Sequence, residues 1–104
     1  MPEFSNAFSG MKADRKLTHE ELVRAIRFMI AAEYEAIQLY EQLADSIDHE
    51  LAKQVLIEIS NEEKEHAGEF ARLLQVLAPG DESYYTEGRG ETEEKIKKLN
   101  DPTA

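Results

Sequence analysis

A chain of 104 residues with 22 acidic and 12 basic side chains, formal charge −10, makes at most one small domain. Its surface repels phosphate backbones, which argues against nucleic-acid partners. It has no cysteine for a disulfide, no secretory leader pattern and no apolar run near the ~20 residues that span a membrane, so a soluble cytoplasmic protein is the default.

In chain order, Met1 to Gly10 (MPEFSNAFSG) has neither helical nor strand period, and residues 1–17 are expected to form a flexible arm or leader. Thr18-His19-Glu20-Glu21 then fits a capping box, a Thr followed three residues later by Glu ahead of an apolar periodic run. From there to about Ser46 the chain has no Gly or Pro and is rich in helix formers. Leu22, Ile26, Met29, Ile30, Ala36, Ile37, Tyr40, Leu43, Ala44 and Ile47 recur at spacings of three and four, one stripe of an amphipathic helix.

Asp48 is the expected N-cap of a second helix running to about Leu77, with the stripe Leu51, Val55, Leu56, Ile59, Phe70, Leu73, Leu74 and Leu77. Gly68 sits inside it, and Ala78-Pro79-Gly80 stops it. The short turn between the helices predicts an antiparallel hairpin over residues 18–78. Residues 79–104 read as a linker through Gly90 followed by a short charged helix, Glu91 to Leu99. The fold class is therefore all-α. A hairpin with so wide a stripe cannot bury it alone, whereas two copies make a four-helix bundle.

Three polar residues break the stripes. Glu33 lies four residues after Met29 and seven before Tyr40; Glu63 lies four after Ile59; His66 lies four before Phe70. Glu63 and His66, at i and i+3, project together. A buried carboxylate needs a counter-charge, and no Lys or Arg falls within the stripe to supply one; Lys64 and Arg72 face elsewhere. Divalent metal meets that need, and a dinuclear carboxylate site in a helical bundle takes a Glu from each of two helices and Glu-x-x-His from two others. This chain holds one of each, so two chains complete the set, and oxygen and imidazole donors suit iron or manganese. Taken alone, a Glu-x-x-His or a core histidine is a common structural feature. It is the matching Glu33 that lifts the reading.

The flanking Glu62 and Glu65 are expected at the edge of the stripe or in solvent, with Glu35 turned away from the core. Tyr40 is either a core aromatic or a hydrogen-bonding, redox-active neighbour of the metals. His19 and His49 sit at helix starts, and Tyr34, Tyr84 and Tyr85 take no role.

Ala32 to Gln42 (AEYEAIQLYEQ) and Asn61 to Ala67 (NEEKEHA) resemble the ferritin-like superfamily, and most of all its truncated two-helix encapsulated ferritins. The resemblance covers roughly Leu17 to Leu77. It implies a ferroxidase that dimerises around a di-iron centre, assembles into a ring, commonly of ten chains, and works inside an encapsulin nanocompartment that stores the oxidised iron. The implied oxidant is dioxygen or peroxide. By the same resemblance Glu33, Glu63 and His66 are the metal ligands, Tyr40 is the tyrosine near the metals, and Glu35 belongs to an outer site through which metal reaches them. Ala32 departs from members with a second acidic residue there, and Leu39 replaces an aromatic. The C-terminal KKLNDPTA resembles no shell-docking tail, so a truncated chain or another targeting signal is expected. Two rivals remain: a di-metal peroxidase of the rubrerythrin kind, and a non-catalytic helical assembly protein.

Overall fold

The computed structural model describes residues 10–101 and residue 103; what the sequence suggests for residues 1–9 lies outside them. Helix α1 spans His19–Asp45 and begins with the expected capping box. The Thr18 hydroxyl accepts from Glu21 N at 3.1 Å, and the Glu21 carboxylate accepts from Thr18 N at 2.9 Å. Arg15 adds a two-pronged ion pair to the same carboxylate, 2.7 Å on each oxygen, which draws the Glu21 carboxyl down to about 2.

Helix α2, Glu50–Leu77, returns antiparallel to α1 after a short turn. Its N-cap is His49 and not the expected Asp48. The His49 backbone is extended, and its Nδ1 accepts from Ala52 N at 3.2 Å. That nitrogen plays the part an Asn or Asp oxygen usually plays at the head of a helix. At the other end of the hairpin His19 Nε2 meets Leu77 O at 2.7 Å, so the start of α1 is tied to the exit of α2.

The interior of the hairpin is narrow. Val23, Ile26, Ile37 and Ala44 of α1 and Ala67 of α2 are its buried apolar residues, joined by the buried Ser60. Much of the rest of the expected stripe is only half-buried, and part of it is open, with Leu43 at 51 % exposure, Val55 at 44 % and Leu51 at 66 %. An apolar face this long is what the hairpin cannot cover by itself.

The segment after α2 differs from expectation. Pro79–Asp81 is a 3-10 turn with Pro79 at its first position, and helix α3 runs Glu82–Asn100. The helix thus starts where a Gly-rich linker was expected. Proline stops α2 yet suits the first turn of whatever follows, since its missing N–H is not needed there. Gly88 and Gly90 weaken α3 without breaking it. Asp81 pairs with Arg27 of α1 at 2.8 Å, which anchors the turn. Otherwise α3 packs chiefly on that turn and buries none of its residues. No helix among the described residues is long and apolar enough to cross a membrane.

Candidate metal centre

Glu33 lies in the middle of α1, and Glu63 and His66 lie one turn apart on the face of α2 turned toward it. The hairpin brings the three together: one oxygen or nitrogen from each lies within 4.8 Å of the other two. His66 Nδ1 stands 3.8 Å from Glu33 Oε2 and 3.8 Å from Glu63 Oε1. The carboxylates are largely covered, with side-chain exposures of 15 % for Glu33 and 20 % for Glu63, whereas His66 is about half open at 49 %. The cluster therefore sits on the open apolar side of the hairpin, closed from behind and accessible from in front.

Its electrostatics are unfavourable as they stand. Glu33 Oε2 is buried and has no hydrogen-bond partner. The Glu33 carboxyl is pushed above its ordinary value by hydrogen bonding with the Glu63 carboxyl, then by burial and by the Glu63 charge; the nearby His66 opposes this weakly. Basic residues that could relieve it are engaged elsewhere. Lys64 pairs with Glu41 at 3.0 Å, Arg24 with Glu20 at 2.7 Å, and Arg27 with Asp81 at 2.8 Å. An orphaned buried oxygen, two crowded carboxylates and one imidazole form a donor set that a divalent cation fits. Three donors are too few to enclose such an ion, which leaves room for groups from elsewhere.

The other residues singled out from sequence fall outside this cluster. Tyr40 is half-buried on the same helix, two turns beyond Glu33, about 10 Å along the axis. Glu35 is half-buried, and Glu62 and Glu65 are exposed; none joins the converging group. Leu39 is 55 % exposed and Tyr34 61 %. Sequence reading missed a polar contact within the hairpin, in which the Ser60 hydroxyl donates to Glu41 Oε1 at 3.3 Å. Its signal was present, since Ser60 falls four residues after Leu56 and seven before Ala67.

Residues 18–104 match the rubrerythrin family. The chain belongs to the rubrerythrin family. Among solved structures, this family member resembles the encapsulated ferritin domain from Pyrococcus furiosus, with a TM-score of 0.77 and 37 % identity over 83 % of this chain and 88 % of that one. The all-α, ferritin-like fold and the kinship read from Ala32–Gln42 and Asn61–Ala67 are thereby borne out. Two curated relatives are similar in sequence. A ferritin-like–encapsulin shell fusion protein of Pyrococcus furiosus is 42 % identical over 86 residues, 83 % of this chain and 24 % of that protein. An encapsulin nanocompartment cargo protein of Myxococcus xanthus is 43 % identical over 79 residues, 76 % of this chain and 59 % of its own length. This rubrerythrin-family chain thus spans a quarter of one and somewhat over half of the other.

Proposed function

We propose that this protein is a ferroxidase, oxidising Fe(II) to Fe(III) at a dinuclear site completed between two copies of the chain. The observation that carries the reading is the buried, unpartnered Glu33 Oε2 facing Glu63 and His66. Each chain contributes two carboxylates and one imidazole. Two chains contribute two Glu33 and two Glu63, whose four negative charges balance two divalent ions, and two His66 supply neutral nitrogen donors. The open apolar side that exposes His66 is the side on which a second copy completes the set.

Iron is here the substrate. Two Fe(II) give up one electron each, and dioxygen takes up both electrons with two protons to leave hydrogen peroxide; peroxide can itself serve as the acceptor. The protein's residues bind and orient. Glu33 binds a cation as its carboxylate, since metal and proton compete for the same oxygens. Glu63 and His66, held one helical turn apart, fix the distance between donors, and the apolar residues of two hairpins shield the site. Manganese fits the same donors. Glu35, half-buried and close in sequence to Glu33, is proposed as part of the path by which metal arrives, and Tyr40 as a neighbour of the completed site.

The similarity to an encapsulin cargo protein and to a shell fusion supports a further part of the proposal: the pairs assemble into a ring, of ten chains by resemblance, within an encapsulin shell that holds the product. Anaerobic Fe(II) loading followed by air, read as ferric absorbance, tests the activity. Wild type oxidises quickly; Glu33→Ala, Glu63→Ala and His66→Ala each lose the rapid phase. Three variants oxidising at the wild-type rate refute the assignment. The rubrerythrin match gives weight to one rival, a di-metal peroxidase. Steady peroxide turnover without ferric product favours that rival.

A further inference from the structure

Ser60 is the most deeply buried side chain among the described residues, at 1 % exposure, and it is polar. Like Ala44 and Ala67, it is a small residue buried between α1 and α2. A hydroxyl enclosed in this way needs a partner, and it has one across the hairpin: it donates to Glu41 Oε1 at 3.3 Å. The same oxygen receives Lys64 Nζ at 3.0 Å, and Lys64 also donates to Asn61 Oδ1 at 3.4 Å. Ser60 and Lys64 are one turn apart on α2, so a single carboxylate of α1 is gripped by two successive turns of its neighbour. Lys64 also holds the Glu41 carboxyl below its ordinary value, which keeps it an acceptor.

Besides the His19–Leu77 contact at the far end of the hairpin, few polar contacts between the helices set their relative height. The apolar stripes repeat every three to four residues, so sliding one helix by a turn exchanges one apolar contact for another. The four residues Ser46 to His49 can reach about 13 Å when extended, enough to permit such a slip. The contact at Glu41 does not permit it, because a one-turn slip strands the Ser60 hydroxyl in the interior without an acceptor. Such a slip also carries Glu33 about 5 Å along the axis, away from Glu63 and His66.

We propose that Glu41 is a positioning residue, which through Ser60 and Lys64 selects the one register of the hairpin that brings Glu33 level with Glu63 and His66. It stands eight residues, about 12 Å, beyond Glu33 along α1, too far to hold the same ion. Its role as a positioning residue rests on the metal reading above; its role in register does not.

The chain has no cysteine, so Arg24→Cys and Glu58→Cys give two exposed spin-label sites offset along the hairpin by roughly 25 Å. Full-length labelled chain, diluted with unlabelled chain, is measured by double electron–electron resonance; Co(II) affinity and visible absorption are measured in parallel on unlabelled chain. Wild type gives one narrow distance. Glu41→Ala and Ser60→Ala each add a second population displaced by about 5 Å, and Glu41→Ala weakens Co(II) about tenfold or more, the range seen when groups that orient metal ligands are removed. Glu41→Gln, which still accepts from Ser60, keeps most of both properties. Ser60→Ala removes only a hydroxyl from a helix and serves where Glu41→Ala does not fold. A single unshifted distance in the alanine variants overturns the register role. Co(II) held equally by wild type and Glu41→Ala overturns the positioning role alone, whereas Co(II) absent from wild type overturns the metal reading and the positioning role with it.

Discussion

Glu33 Oε2 and His66 Nδ1 face each other at 3.8 Å across the hairpin, and the buried oxygen accepts no hydrogen bond there. A folded chain gains nothing in stability from this arrangement, because the carboxylate loses water without recovering a full partner. Glu33→Leu keeps the size and restores the apolar stripe. It is expected to raise the stability of metal-free protein by about 1 kcal/mol in urea unfolding while abolishing Co(II) binding. Lower stability together with lost binding would show that Glu33 is a structural residue.

The same crowding gives the metal-free chain an unusual response to acid. The Glu33 carboxyl titrates above the ordinary 4.5 in the folded protein, so the folded state holds its proton more tightly than the unfolded state does. The penalty is complete above the folded value and is relieved as pH falls through that value toward 4.5. Glu21 acts in the opposite sense: its carboxyl lies at about 2, and its stabilisation is present above 4.5 and lost as pH drops toward 2. Thermal unfolding in chelator is therefore expected to show a midpoint rising on mild acidification and falling in strong acid. Glu33→Gln should remove the rise and leave the fall. A midpoint that drops steadily from neutrality in the wild type contradicts the Glu33 assignment.

The capping box at Thr18, the exit at Leu77 and the convergence of Glu33, Glu63 and His66 were all legible in sequence, because each rests on spacing along a regular helix. What was not legible depends on geometry between residues that spacing does not encode. Asp48 and His49 both offer a side-chain acceptor, and only the path of the turn decides that His49 reaches Ala52 N. Ser60 falls on the inner face of α2 by spacing, but only the packing brings Glu41 beside it. Gly88 and Gly90 argued for a linker on composition, yet an exposed helix tolerates two glycines when Pro79 and the Asp81–Arg27 pair start it in the right direction.

Those glycines provide a test of α3. Both are exposed, and a Cβ added at either meets nothing within 4 Å. Neither has a positive φ, so alanine fits the existing backbone. Gly88→Ala and Gly90→Ala are each expected to favour the helix by up to about 1 kcal/mol, and the double variant should raise the far-ultraviolet circular dichroism signal of the whole chain. A wild-type signal too small for three helices, which neither substitution raises, would mean that residues 82–100 are not held as a helix in solution.

Met29 lies one turn before Glu33 on the same stripe and is 36 % exposed in the single chain. If a second copy covers that face, a carboxylate at this position would be buried beside Glu33 without a partner, at a cost of several kcal/mol. Met29→Asp is thus expected to reduce self-association, measured by sedimentation velocity, while the hairpin keeps its helical signal. Rapid iron oxidation should fall in step, because the lone chain retains Glu33, Glu63 and His66 but only half the donors. Full activity in a strictly monomeric variant would separate the chemistry from pairing and leave one chain sufficient for the site.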